Sequence, residues 1–213
     1  MEILLNQELK AYIEQNILPE YALNDGGHNL RHINIVLGRA FELAENYDID
    51  YDMLYVIVCF HDIACHIDRE KHEKLSADRL YNDNNLRNWF NEQQLDIMKE
   101  AVEDHRASLE YEPRNIYGKI LSSADRKTDI VDYFKSSLGF ELKRNPEATD
   151  EELISHSYNH AIKKFGKSGY AVQKFYIEDK KYKSFLDEIQ SLIDNKNEFE
   201  VRAKDILREI RKG

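Results

Sequence analysis

The pair His61-Asp62 stands where an apolar run, Met53-Leu54-Tyr55-Val56-Ile57-Val58-Cys59-Phe60, comes to an end. A segment apolar on every side has the pattern of a helix buried at the centre of a domain. An imidazole and a carboxylate are therefore delivered at the end of a buried element. Burying a carboxylate is costly unless something compensates, and a divalent metal is one efficient compensator. Neighbouring helical residues point about 100° apart, so both side chains reach one ion only if it sits between their two directions. A third ligand from another helix would fix that position.

Polar residues on otherwise apolar helix faces are the further candidates. His32 shares a face with Val36 and borders Ile33 and Leu37. His72 lines up with Leu75, Ser76 and Leu80, while His105 follows Leu95, Met98 and Val102 at helical steps. Asp125 follows Leu121 and flanks Ala124, and Ser122-Ser123-Ala124 is small enough for helices to approach closely. Imidazole mixed with carboxylate suits Mn, Fe, Co, Ni or Zn and is less typical of Mg alone. Taken singly, each has a plainer explanation. A histidine on an apolar face is more often a hydrogen-bonded core residue than a ligand, and Asp125 alone could be a structural partner for an arginine.

The elements that must position these residues read as helices throughout. Residues 3–17 carry Leu5, Leu9, Tyr12, Ile13 and Ile17 at helical spacing, limited by Pro19. Asn24-Asp25-Gly26-Gly27-His28-Asn29 is the strongest loop signal and leads into a second helix through about Asn46. The apolar run ending at His61 forms a third helix, bounded by Asp50. Its β-branched residues would also suit a strand, but no second strand-like segment exists to pair with it. Further helices are expected at about 70–82, 92–107, 115–138, 150–164, 170–195 and 197–211, with turns at Asn82-Asp83-Asn84-Asn85, Glu112-Pro113-Arg114, Asn145-Pro146 and Gly166-Lys167-Ser168-Gly169.

The length of 213 residues suits one helical domain. The last helices form either a small subdomain or a wrap around the same core. With 42% hydrophobic and 33% charged residues, and only 8 glycines and 3 prolines, the composition is that of a soluble globular chain with long helices. A net charge of -10 argues against an electrostatic grip on duplex nucleic acid. The acid excess is local: residues 1–150 hold 17 basic against 29 acidic side chains, and residues 151–213 hold 13 against 11. An acidic surface around the candidate ligands suits cations, and a bound metal would reverse the local sign for small phosphate esters. Cys59 and Cys65, with no second Cys pair, read as buried thiols in a reducing compartment. No signal-peptide pattern and no stretch of transmembrane length is seen, so a cytoplasmic location without a membrane partner is expected.

On helices, His32, then His61-Asp62, then Asp125 resembles the H…HD…D signature of the HD superfamily of metal-dependent phosphohydrolases, over roughly residues 25–135. The flanking segments, a loop with His28-Asn29-Leu30-Arg31-His32 upstream and Ser76-Ala77-Asp78-Arg79 downstream, add to the likeness. The resemblance implies an HD-domain-like core at about 25–135, with helices 150–213 packed on it in a single domain. It implies a divalent metal on His32, His61, Asp62 and Asp125. Members with two metals are similar to a longer pattern in which His72 and His105 occupy the added stations, so one or two ions are expected, with Mg also possible.

The implied activity is hydrolysis of a phosphomonoester or phosphoanhydride, the implied partner a small phosphorylated molecule of the nucleotide class. Asp62 is then expected to orient the attacking water. Positive charge around the phosphoryl oxygens falls to Arg106 and Arg126, each beside a proposed ligand, with Lys127 and Arg31 behind them. His28 is a candidate substrate contact or a turn residue. Two rival readings share the ligand set: a nucleotide-sensing module without turnover, and a di-iron centre for oxygen chemistry. His66 is expected on the solvent side. His156 and His160 lack a matching carboxylate, and the tyrosines at 170, 176 and 182 are explained by helix packing. Oligomeric state is left open.

Overall fold

The structure is a computed structural model, described here for residues 3–24 and 28–212; residues 25–27 of the expected loop lie outside the described residues. It is all-helical, as the periodicity predicts. The α-helices are α1 (Gln7–Asn16), α2 (Leu30–Ala44), α3 (Tyr51–Phe60), α4 (His72–Tyr81), α5 (Glu92–Glu103), α6 (Ile116–Ala124), α7 (Ile130–Arg144), α8 (Asp150–Phe165), α9 (Lys180–Asp194) and α10 (Lys196–Ile210). Short 3-10 segments cover Leu18–Leu23 and Asn84–Asn88. Among the described residues no helix is long and apolar enough to cross a membrane.

Side chains that start the helices are legible in the sequence. Asn29 Oδ1 accepts from the backbone N–H groups of Arg31 and His32 and so opens α2. Asp50 does the same for α3 through Asp52 and Met53. Such caps satisfy donors that the first turn leaves without partners. Three expected helices differ in extent from what the sequence suggests. The segment expected at 115–138 breaks after Ala124, because Asp125 closes α6 and the Asp129 side chain opens α7 by accepting from Asp132 N–H. No glycine or proline marks that break. The segment expected at 170–195 becomes helical only at Lys180, where Asp179 caps α9 through Tyr182 N–H. Residues 104–107, expected to extend α5, lie beyond its end at Glu103.

The chain divides into two compact units, residues 1–125 with 176–178, and residues 126–175 with 179–213. In the first, α3 packs against α1, α2, α4, α5 and α6. Every residue from Met53 to Phe60 is buried, and burial continues through His61, Asp62, Ile63 and Ala64. Leu9, Ile13, Ile33, Val36, Leu95, Met98, Leu121 and Ile177 belong to the same core. The second unit has its own core, built on α7 to α10 around Phe134, Phe165, Tyr182, Phe185 and Phe199.

Candidate metal centre

Beyond Phe60 the α-helical pattern of α3 gives way to turns, with Ile63 N–H donating to Phe60 O at 3.2 Å and Cys65 N–H to Asp62 O at 3.1 Å. This tighter winding lets the adjacent side chains of His61 and Asp62 converge. Three residues hold the segment. Tyr21 Oη donates to Cys59 O (3.0 Å) and accepts from Asp62 N–H (3.3 Å). Asn24 Nδ2 donates to Asp62 O (2.9 Å), and Ser76 Oγ accepts from Ala64 N–H (3.2 Å). Tyr21 and Asn24 carry no sequence signal of this task; Ser76 stands in the segment that resembles the family pattern.

Asp62 is the hub. Its Oδ2 lies 3.3 Å from His61 Nε2, 3.4 Å from His32 Nε2 and 4.0 Å from His28 Nε2. Its Oδ1 lies 3.1 Å from His72 Nε2 and 3.6 Å from His105 Nε2. Asp125 Oδ1 joins the first group, 3.1 Å from His32 Nε2 and 3.9 Å from His61 Nε2. The six residues singled out as metal ligands are thus brought together from α2, the end of α3, α4, the end of α5 and the end of α6. His72 and His105 face one carboxylate oxygen while His32 and His61 face the other.

The tautomers follow from the backbone. His61 Nδ1 lies 2.7 Å from Val58 O, His105 Nδ1 2.6 Å from Val102 O, and His72 Nδ1 3.0 Å from Arg69 O. A carbonyl oxygen only accepts, so each Nδ1 carries a hydrogen and each neutral ring turns a bare Nε2 lone pair inward. The Nε2 atoms of His72 and His105 lie 3.2 Å apart. Two lone pairs at that separation repel unless a proton or a cation stands between them. The Nε2 atoms of His32 and His61 are buried and make no hydrogen bond, despite their closeness to carboxylate oxygens. Inward lone pairs, an anionic hub and orphaned nitrogens together fit a divalent cation. Two donor sets, His32–His61–Asp62 and Asp62–His72–His105, each have ligand atoms within 4.8 Å of one another.

The electrostatics agree in direction. Burial pushes the His32 imidazole down, but the carboxylates of Asp125 and Asp62 outweigh it and lift it to about 10. His61 and His72 are raised for the same reason, burial opposing and Asp62 prevailing. Burial would raise Asp62, yet His61, His105 and His32 hold it well below the usual carboxylate range. Asp125 is likewise lowered, desolvation being overcome by His32 and His61. Without a cation, protons take over part of its role.

The remaining candidates fall in different places. His28 sits at the edge of the cluster, its ring 5.9 Å from that of His32. Arg31 is exposed at the start of α2. Arg106 is engaged by Glu70 O (2.7 Å) and Glu73 Oε2 (3.2 Å), a carboxylate that also lies 3.5 Å from His72 Nδ1. Arg126 and Lys127 belong to the second unit, where Arg126 lies over the Tyr182 ring at 4.8 Å and Lys127 pairs with Asp132 at 2.8 Å. His66 is exposed, with its Nδ1 3.1 Å from Asn24 Oδ1. His156 does meet a carboxylate, Glu141 at 3.3 Å, which the sequence did not reveal. Cys59 is buried as expected, whereas Cys65 is only half-buried and stands beside Asp62 and His28. Nothing but its distance of three residues from Asp62 could have drawn attention to Cys65.

No known family model matches the chain, and no curated protein does. Among solved structures the chain is similar to a predicted HD superfamily hydrolase from an uncultured Thermotogales bacterium, at 18% identity over 72% of this chain and 83% of that one, with a TM-score of 0.46. A likeness of that depth leaves the functional reading to the side-chain geometry.

Proposed function

We propose that the first unit is a metal-dependent phosphohydrolase of the HD type, cleaving a phosphomonoester or phosphoanhydride of the nucleotide class. The observation that carries this reading is the Asp62 carboxylate, faced on one oxygen by His32 and His61 and on the other by His72 and His105. His32, His61, Asp62 and Asp125 would hold one divalent ion, and Asp62, His72 and His105 a second. The donor set favours Mn, Fe, Co, Ni or Zn over Mg. Such ions supply Lewis acidity toward a phosphoryl oxygen and lower the pKa of a coordinated water.

The protein's own groups do the rest. The carbonyls of Val58, Arg69 and Val102 hold three imidazoles in the ligating tautomer. Asp62 would orient the attacking water. Arg31 and Arg106 are the cations of the first unit assigned to the phosphate oxygens, Arg106 by exchanging Glu70 O and Glu73 for phosphate; Arg126 and Lys127 would likewise have to leave Tyr182 and Asp132.

The full chain loaded with Mn, Fe, Co or Ni should release phosphate from a panel of phosphomonoesters, nucleotides and dinucleoside polyphosphates. Asp62→Ala and His61→Ala should lower the rate by about 10³-fold, roughly 4 kcal/mol of barrier, with the helical circular-dichroism signal kept. A chain that binds its metals and hydrolyses none of the panel would sink the reading. Oxygen-dependent turnover with iron would then favour the di-iron alternative, and tight nucleotide binding without product the sensing one.

A further inference from the structure

A third donor set adjoins the two already described: His28 Nε2, an Asp62 carboxylate oxygen and Cys65 Sγ lie within 4.8 Å of one another. The phosphohydrolase reading gives it no task. His28 and Cys65 are both partly accessible, so this is the most solvent-exposed of the three sets. It is also built. Asn24 Nδ2 donates to both His28 O (3.1 Å) and Asp62 O (2.9 Å), and Asn24 Oδ1 accepts from His66 N–H (3.0 Å). One asparagine therefore ties the backbone of His28 to the 62–66 turn that carries Cys65. The fully buried His61 Nε2, which makes no hydrogen bond, lies 3.3 Å from the same Oδ2 that His28 approaches.

We propose that His28, Asp62 and Cys65 form a third cation position, selective for a thiophilic divalent ion such as Zn(II) or Co(II). The proposal rests on the preceding reading in taking Asp62 to be a metal ligand. An ionised carboxylate offers about four lone-pair sites on its two oxygens, so Oδ2 can serve a second cation without leaving the first. A donor set of one nitrogen, one oxygen and one sulfur is the kind that Zn(II) and Co(II) accept and that Mg(II) does not. On binding, the S–H bond breaks, its proton goes to solvent and a sulfur–metal bond forms; no oxidation state changes.

The test is a Co(II) titration of the chelator-treated full chain under reducing conditions, followed by absorption spectroscopy. Visible d–d bands report cobalt on any of the sets; a near-ultraviolet sulfur-to-cobalt charge-transfer band reports Cys65. Cys65→Ser, and Cys65→Ala as a second variant, should abolish the charge-transfer band and lower the cobalt stoichiometry by one while the d–d bands persist. His28→Ala should weaken the cobalt step that develops the sulfur band by about tenfold or more. The proposal is overturned if the unaltered chain binds cobalt without a sulfur band, or if the band survives both Cys65 variants. Phosphate release without a sulfur band removes this proposal alone. A chain that takes up no cobalt removes it together with the metal-dependent reading.

Discussion

At the scale of single residues, the centre is governed by competition between protons and a cation for the same nitrogens. His32, lifted to about 10 against an ordinary 6.5, is charged near neutrality in the cation-free chain. Ligation requires the neutral ring, so binding must expel that proton. Calorimetry in buffers of different ionisation enthalpy should therefore detect proton release, with affinity rising as the pH rises. The linked effect on stability is expected in the chelated chain and not in the metal-saturated one. Because the folded value lies above the unfolded one, the contribution of His32 in the chelated protein is complete below about pH 6.5 and is lost as the pH climbs through about 10. His61 and His72, also raised, act in the same sense. The melting temperature of the chelated chain should fall over that window, while that of the metal-saturated chain should not. A metal-saturated chain that follows the chelated one would exclude these histidines as ligands. The ligand candidates were legible one by one, because polar residues on apolar faces are conspicuous. The engagement of Arg106 by Glu73 was not, since nothing in the order of residues says which of several nearby carboxylates a long side chain will meet.

Among the elements, the decisive one is α3 with the turn that follows it. Its existence and burial were plain from an unbroken apolar run. What fixes its far end was hidden: Tyr21, from the 3-10 segment that contains Pro19, joins Cys59 O to Asp62 N–H through one hydroxyl. Tyr21→Phe leaves the shape of the core intact and strips two buried backbone groups of a partner, at a cost of about 1–3 kcal/mol. Denaturant titration should show that loss, and metal affinity should drop with it because the carboxylate of Asp62 rides on the same turn. Unchanged affinity would mean that the turn is held without Tyr21. The breaks at Asp125 to Asp129 and before Lys180 escaped the periodicity for a related reason. Aspartates begin the helices that follow those breaks through side-chain hydrogen bonds, and an aspartate within a charged stretch looks like any other solvated residue.

For the whole molecule, two separate apolar cores make it possible to ask which part a cation stabilises. The single tryptophan, Trp89, packs against the first core, so its fluorescence follows the unit that holds the candidate ligands, whereas circular dichroism follows every helix. Adding Co(II) or Mn(II) to the chelated chain should raise the fluorescence melting temperature and leave part of the dichroism transition where it was. A shift of equal size in both signals would show that the two units unfold as one. Composition gave no hint of two cores, because the hydrophobic patterning is equally helical in both and no glycine or proline stands between Ala124 and Ile130, where the first unit gives way to the second.

A single carboxylate meets imidazoles on both of its oxygens, and this gives the centre a stiffness that separate ligand sets would lack. Turning Asp62 to improve the fit on one side spoils it on the other, like a balance arm with a load on each end. Ions seated there would sense each other's size and charge through that arm, so exchanging one metal for another on one side should retune its neighbour with no protein movement beyond a single side chain.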